Sequence, residues 1–218
     1  NFPSNPTGAM LSVEQRDTLL NFAKKHNLWI ISDEVYDRII YEGEHVSFLG
    51  TDYDRVLLIN SFSKTFAMTG WRIGYILSPN LEAMKQVIKL QYYLAACSND
   101  GMQYAVLAAF QNASEYPEQM ALEFKERRDL ICQRLNQMPG VSCHIPKGAF
   151  YVFPKVSVDG MNSEDLAIEL LKGGVLCSPG SAFGQSGEGH LRFAYTISKD
   201  DISLGMDKVE AVLKKLNE

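Results

Sequence analysis

The chain has 218 residues, of which 46% are hydrophobic and 22% charged, and its formal net charge at pH 7 is −5. A chain of this length can bury one large core or two smaller ones. A nucleic-acid partner is not expected, because the net charge is negative and the sequence has no basic stripe. No apolar run approaches the length of a bilayer span, so no membrane partner is expected either.

Two further features concern the protein's surroundings. The four cysteines lie far apart, form no Cys-x-x-Cys pair and sit among apolar residues: Cys97, Cys132, Cys143 and Cys177. This pattern is typical of reduced core thiols and predicts a cytoplasmic protein without a metal site. The chain starts at Asn1, without methionine and in a turn-rich stretch, and we expect its true N-terminus to lie further upstream.

The first part of the chain alternates helical and strand patterns. Ser12 and Gln15 form a capping-box pattern, which predicts an amphipathic helix that ends near Asn27. Three strands are predicted, the first two as apolar runs buried on both faces of a parallel sheet: residues 28–32, 56–60 and 72–77. Three strands are few for a doubly wound sheet, so either the sheet is small or strands from a missing segment complete it.

Beyond Pro79 the pattern changes to long helices and short strands. Helices are predicted over about residues 81–112 and 117–138, and over a segment that Ser163 can cap and Gly173 can end. The remaining predicted elements are strands at 148–153, 174–178 and 191–195 and a final helix from Ser198 to Leu216. We divide the chain into an α/β part, residues 1–112, and an α+β part, residues 113–218.

The chemistry is predicted at residues 61–65, with the sequence Ser-Phe-Ser-Lys-Thr. Ser61 and Ser63 follow a predicted strand, and a glycine-bearing loop leads on to Arg72, so hydroxyls and a guanidinium can gather around a phosphate. Lys64 beside them is placed to attack a carbonyl, and the two features together suggest pyridoxal phosphate. The alternative is an exposed loop lysine with an unrelated arginine.

A second strand end carries the next group of residues. Asp33 follows a predicted buried strand, where ligands gather in open α/β sheets, and its carboxylate could pair with a protonated pyridine nitrogen. Tyr36 and Asn5 could reach the phenolic oxygen of the same ring. The alternative for Asp33 is a helix N-cap.

With these residues in place, the chain resembles the class I aminotransferases of the fold-type I pyridoxal phosphate enzymes. Four segments match the family in order and spacing: residues 4–8 (Ser-Asn-Pro-Thr-Gly), 33–36 (Asp-Glu-Val-Tyr), 61–74 (Ser-Phe-Ser-Lys through Thr-Gly-Trp-Arg-Ile-Gly) and 191–193 (Leu-Arg-Phe). The resemblance covers the whole chain but only the C-terminal part of a usual member. It implies that residues 1–112 are part of a large three-layer αβα domain and that residues 113–218 form a smaller α+β domain.

The resemblance also implies a role for each residue. Lys64 would be the catalytic residue and carry the cofactor as a Schiff base, while Asp33 holds the pyridine nitrogen. The other cofactor contacts would come from Asn5, Tyr36, Ser61, Ser63 and Arg72. Arg192, which alone in an alternating strand could equally be a surface residue, would bind the substrate's α-carboxylate together with Asn5. The family often has a cis peptide at the position of Asn5-Pro6.

The activity implied is transfer of an amino group between an amino acid and a 2-oxo acid, in a homodimer with its site at the interface. Residues 97–99 resemble a segment that crosses from the partner, although Asn99 could equally be a helix N-cap. Residues 92–96 lack the arginine that aspartate-specific members carry there, so selectivity for dicarboxylates by that route is not expected. The missing cofactor contacts would come from an N-terminal segment or a second chain.

Two other functions remain open at this stage. A lyase of the same fold would cleave a carbon–sulfur bond or close a small ring, and the motifs bind the cofactor without fixing its reaction. A non-catalytic regulatory domain would use the fold without the chemistry, although Lys64, Asp33, Tyr36 and Arg72 are all present.

Overall fold

The computed structural model describes residues 1–217, and this part of the chain divides into two compact units. The first comprises Asn1–Pro3 and Met10–Ala121, and the second comprises Ser4–Ala9 and residues 122–217. The division falls inside the helix Tyr116–Asn136, and the domain boundary between residues 112 and 113 stays a prediction. No helix within the described residues is long and apolar enough to span a membrane.

The first unit is built on a three-stranded sheet of order β1-β2-β3, in which β1 and β2 are parallel and β2 and β3 antiparallel. Its elements are α1 (Val13–His26), β1 (Ile30–Asp33), β2 (Val56–Ser61), α2 (Phe62–Thr65), a 3-10 helix (Thr69–Trp71), β3 (Gly74–Leu77), α3 (Leu81–Ala95), α4 (Asp100–Asn112) and the start of α5 (Tyr116–Asn136). The three predicted strands and the long helices are confirmed.

Local signals account for the ends of the helices. Ser12 and Gln15 form the predicted capping box on α1, and Asn27 ends the helix in the left-handed conformation. Asn99 is the N-cap of α4, because its side chain accepts a hydrogen bond from the Met102 amide.

The strands of the sheet are not equally buried, and the prediction that β1 is buried on both faces is wrong. A core cluster formed by Leu11, Leu20, Phe48 and Val56 packs around one part of the sheet. Ile31, however, is 65% exposed, so β1 is not buried on both faces. The reason is that β1 is an edge strand among the described residues, and nothing within its own unit covers the Ile31 side chain.

The second unit combines helices with a two-stranded sheet of order β4-β6 and an antiparallel three-stranded sheet of order β5-β8-β7. Its elements are the rest of α5, β4 (Val141–Ser142), β5 (Tyr151–Val152), β6 (Lys155–Val156), α6 (Ser163–Lys172), β7 (Ser178–Pro179), 3-10 helices at Gly180–Phe183 and Gln185–Gly187, β8 (Leu191–Ala194) and α7 (Lys199–Leu216). Ser198 caps α7 as predicted.

Two expectations about single residues of the chain need correction. Asn162, not Ser163, is the N-cap of α6, because the Asn162 side chain accepts from the Asp165 amide. Of the four cysteines, Cys132 and Cys143 are buried, whereas Cys97 is exposed and Cys177 only partly buried. An apolar sequence neighbourhood does not bury a thiol when its segment lies on the surface.

Candidate active site

The polar residues of the first unit meet at one edge of its sheet. In the parallel pair, Asp33 lies opposite Ile59, and the Glu34 amide donates to the Ile59 carbonyl at 2.9 Å. The carboxyl ends of β1 and β2 therefore coincide, and the residues after each strand lie at the same edge. This register brings Asp33 and the segment from Ser61 to Lys64 to the same end of the sheet.

The two serines and Arg72 are brought together by the return of the chain to β2. Ser61 Oγ lies 2.9 Å from Ser63 Oγ and 3.1 Å from the carbonyl oxygen of Ile73, the residue after Arg72. Gly74 pairs with Ser61, and a Cβ atom on Gly74 would lie 2.6 Å from the Asn60 carbonyl oxygen, so only glycine allows this approach. The structure therefore brings the backbone next to Arg72 to the Ser61 hydroxyl, while the exposed Arg72 guanidinium donates to the Thr69 carbonyl at 2.9 Å.

Lys64 lies in the short helix α2 and is partly buried. Burial lowers the pKa of its amine, and the nearby Arg72 guanidinium lowers the pKa further, because both disfavour the protonated form. A larger fraction of Lys64 is therefore a neutral amine, with a lone pair, than for an exposed lysine at the same pH.

Asp33 is the last residue of β1, and Tyr36 lies on the turn that follows the strand. Asp33 Oδ1 accepts a hydrogen bond from the Val35 amide at 3.3 Å, and the backbone turns through residues 35–38 without entering a helix. The helix N-cap alternative for Asp33 therefore does not hold. Tyr36 is buried, at 4% exposure.

Glu34, beside Asp33, is anchored by a buried network that the sequence did not indicate. It is 3% exposed, and its carboxylate lies 2.6 Å from His45 Nε2 and accepts from the hydroxyls of Ser32 and Ser47, each at 2.8 Å. Burial alone would raise the pKa of Glu34, but the hydrogen bonds from His45, Ser47 and Ser32 outweigh it and lower the pKa. The network fixes the backbone on the C-terminal side of Asp33.

We expect Glu34→Ala to lower the free energy of unfolding by about 3 kcal/mol at neutral pH, because it leaves His45 and two hydroxyls without their acceptor. The folded-state pKa of Glu34 is depressed, so its contribution is present above the unfolded pKa and lost as pH falls through the folded one. The difference in unfolding free energy between Glu34→Ala and wild type, measured with denaturant, should therefore become smaller in acid. Glu44→Ala, at an exposed position of the same segment, is the control, and equal midpoints for Glu34→Ala and wild type at pH 7 would contradict the role of the network.

The second unit brings together Asn5 and Arg192. Arg192 Nη1 donates to Asn5 Oδ1 at 2.9 Å, and Nη2 donates to Ser178 Oγ at 3.0 Å. Ser178 lies directly opposite Arg192 in the pairing of β7 with β8, so the two side chains share one face of the sheet. The Asn5-Pro6 peptide bond is cis, as the resemblance predicts.

Two aromatic residues at this group were not assigned to it from sequence. The Arg192 Cζ lies 4.6 Å from the ring centroid of Tyr151 and 4.9 Å from that of Phe183. Tyr151, which is 9% exposed, pairs with Ala194, so it is the diagonal neighbour of Arg192. The His190 ring stacks on that of Phe153, with the ring centroids 4.9 Å apart.

Phe183 is held in place by a loop that folds back on itself. The Gly180 amide donates to the His190 carbonyl at 2.8 Å. A Cβ atom on Gly180 would lie 1.9 Å from the Gly187 carbonyl oxygen, so the two glycines are in backbone contact. The Glu188 carboxylate accepts from the Ser163 amide at 2.7 Å and from its hydroxyl at 2.9 Å, which ties the loop to the start of α6.

We expect Gly180→Ala to destabilise the protein by about 1–3 kcal/mol or more, because the added methyl group meets backbone that cannot move aside cheaply. Gly205→Ala is the matched control. Gly205 lies inside α7 with open space around its Cβ position, and alanine there should stabilise by roughly 0.5–1 kcal/mol. Thermal unfolding of both variants measures these changes in stability. An unchanged unfolding midpoint for Gly180→Ala would show that the contact of Gly180 with Gly187 does not close the loop.

The chain matches a known family over most of its length. Residues 1–209 match the model described as "Aminotransferase class I and II". The chain belongs to this family, whose members depend on pyridoxal phosphate. The family resemblance and the α/β class predicted from the sequence are thereby confirmed.

Individual relatives agree with this assignment. The chain is 40% identical to an aspartate aminotransferase of Pyrococcus horikoshii, over 98% of this chain and 56% of that enzyme. It is 39% identical to aromatic-amino-acid aminotransferase 2 of Thermococcus litoralis, over 99% of this chain and 56% of that enzyme. A crystal structure of an aromatic aminotransferase from Pyrococcus horikoshii is similar, with a TM-score of 0.93, 39% identity and coverage of 99% of this chain and 59% of that one. The chain thus spans a little more than half the length of these relatives.

The residues of the first unit have the chemistry that pyridoxal phosphate requires. Ser61, Ser63 and Arg72 offer hydroxyl and guanidinium donors of the kind that bind a phosphate. Lys64, with its lowered pKa, is an amine suited to a Schiff base, and Asp33 offers a carboxylate for the pyridine nitrogen. Among residues 1–217, no cluster of three or more His, Cys, Asp or Glu side chains is arranged to hold a metal ion.

Proposed function

We propose that this chain belongs to a pyridoxal phosphate-dependent aminotransferase, which moves an amino group between an amino acid and a 2-oxo acid. The observation that carries the proposal is the position of Lys64, partly buried and with a lowered pKa, beside Ser61, Ser63 and Arg72 at the end of β2. Asp33 lies at the same edge of the sheet, at the end of the parallel neighbour β1.

Each residue has a task that follows from its chemistry. When bound, the cofactor supplies an electrophilic carbon for amines and an electron sink for negative charge at the substrate's Cα. The Lys64 amine would hold the cofactor at that carbon, and in its neutral form it would accept the proton from the substrate's Cα as a general base. A lowered pKa supports this task, because a protonated lysine cannot accept a proton.

The remaining residues bind and orient. The Asp33 carboxylate would accept a hydrogen bond from the pyridine N–H and so favour the protonated ring. Ser61, Ser63 and Arg72 would bind the phosphate, and Tyr36 and Asn5 would each be a donor for the phenolic oxygen. Arg192, which Asn5 and Ser178 hold by its terminal nitrogens, binds the substrate's α-carboxylate through its planar guanidinium.

The same proposal covers the organisation of the whole protein. The first unit is then part of the large cofactor-binding domain, predicted as residues 1–112, and the second unit is the small domain. A cytoplasmic homodimer with its site at the interface is the proposed assembly. Exposed aromatic residues on the helices of the first unit support an interface there, since Tyr92, Tyr93 and Tyr104 are 68%, 75% and 74% exposed.

The proposed substrate class is based on the residues at positions 92–96. This stretch reads Tyr-Tyr-Leu-Ala-Ala, without an arginine that could pair with a side-chain carboxylate. We propose that the enzyme accepts aromatic or varied amino acids. The relatives of this chain include both an aspartate aminotransferase and an aromatic-amino-acid aminotransferase. Proteins named for different substrates therefore occur in this family.

An acceptor test decides between transamination and the same-fold lyase. The cofactor-loaded protein is incubated with aspartate, tyrosine or alanine, with and without 2-oxoglutarate. We expect glutamate to form only when both the donor and 2-oxoglutarate are present, in a one-to-one ratio with the 2-oxo acid made from the donor. Multiple-turnover release of ammonia or pyruvate without the acceptor would identify a lyase and overturn the proposal.

A further inference from the structure

The Arg192 guanidinium is fixed by four neighbours of its own unit. Asn5 and Ser178 each accept one N–H, and the rings of Tyr151 and Phe183 lie 4.6 and 4.9 Å from its Cζ. Both ring distances fall within the range of about 6 Å in which an aromatic face attracts a cation. A guanidinium has five N–H donors, and the two hydrogen bonds use two of them.

We infer that Tyr151 and Phe183, together called the aromatic clamp, are positioning residues that set the strength with which Arg192 binds a carboxylate. The inference rests on the proposed function, in which Arg192 receives the substrate's α-carboxylate. Under this inference, specificity for the carboxylate depends on two residues that contact Arg192 but do not contact the reacting atoms.

The position of Phe183 is not explained by core packing. Phe183 is 37% exposed, whereas a core ring would be buried. Its loop is nevertheless tied down by the contact of Gly180 with Gly187 and by the bonds from Ser163 to Glu188. Phe153 supports the ring from the side, in an edge-on contact at 5.7 Å. The loop therefore keeps a partly exposed ring against Arg192.

Two physical effects of the clamp favour carboxylate binding. The rings cover part of the guanidinium, and the attraction between opposite charges grows as the local dielectric constant falls. They also restrict the rotamers of a long side chain, so less conformational entropy remains to be lost when the substrate binds. Both effects act on binding of the carboxylate and not on the proton transfer at Cα.

The test compares Phe183→Leu, which removes the ring, with Phe183→Tyr, which keeps it, in the cofactor-loaded protein. Tyr151→Leu and Tyr151→Phe form the same pair on the buried side, and Leu176→Ala is an exposed control in the same unit. Calorimetric binding of succinate, which has carboxylates but no amino or keto group, reports on the site without turnover. Kinetics with the best amino-acid donor, and with the amine that lacks its carboxylate, separate KM from kcat.

For Phe183→Leu we expect succinate affinity to fall and KM for the amino acid to rise, each about tenfold, with kcat changed much less. The amine without a carboxylate should react as with wild type, and Phe183→Tyr should bind succinate within about twofold of wild type. Wild-type succinate binding by Phe183→Leu, or a Phe183→Tyr variant as defective as Phe183→Leu, would overturn the inference. A wild-type protein that binds succinate but does not transaminate would instead count against the proposed function alone.

Discussion

Replacing Lys64 with alanine is expected to reduce transamination by roughly 10²–10⁴-fold or more, since the variant loses both the amine that holds the cofactor and the general base. It should also lose the near-visible absorbance of a cofactor bound as a Schiff base. The loss should be confined to chemistry, because Lys64 lies in a four-residue helix and is only partly buried. Absorbance spectra and initial rates of the reconstituted protein measure both effects.

The control for this variant is Lys85→Ala, which removes an exposed lysine that pairs with Glu82 on the same helix. It should keep the wild-type spectrum and rate, because exposed pairs of this kind contribute little. If Lys64→Ala kept the absorbance of the holo-protein, Lys64 would not be the attachment point.

The second large effect is expected for Asp33→Ala, which should bind the cofactor about 10- to 100-fold more weakly, the equivalent of roughly 1.5–3 kcal/mol for a hydrogen bond to a charged group. The bound remainder should be nearly inactive, because a pyridine ring without its carboxylate partner loses its proton and accepts electrons poorly. Equilibrium titration with pyridoxal phosphate, followed by rate measurements at saturating cofactor, separates the two losses.

Asp33→Asn isolates the charge, because asparagine keeps the shape of the side chain and an oxygen that can accept from the Val35 amide. It should fold like wild type and yet lose most of the activity. Asp159→Ala, at an exposed position of the second unit, is the control for loss of an acidic residue. Full activity of Asp33→Ala at saturating cofactor would contradict the role assigned to Asp33.

Some features could be predicted from the sequence because they depend on nearby residues. The capping box of Ser12 and Gln15 and the N-cap at Ser198 are set within one helical turn, and both are observed. The grouping of Asp33 with Ser61 follows from one rule, that the carboxyl ends of parallel strands share an edge.

Other features depend on contacts between distant parts of the chain. Ser163 looks like a helix cap in sequence, but its hydroxyl and amide bind Glu188, a contact that only the folded loop creates. The same holds for the pairing of Glu34 with His45 and for Phe183 against Arg192, because the two residues of each pair do not share a helix or a strand. The exposure of Ile31 depends on what covers the sheet, which the composition of a strand does not specify.

The central claim is that Lys64 holds the cofactor, and one measurement tests it most directly. The reconstituted protein is reduced with borohydride, which converts a Schiff base into a stable secondary amine, and is then digested and mapped by tandem mass spectrometry. We predict that the mass of the reduced cofactor lies on Lys64 and is absent from the Lys64→Ala variant. Stoichiometric attachment to another lysine, or none on a protein shown to bind the cofactor, would contradict the claim.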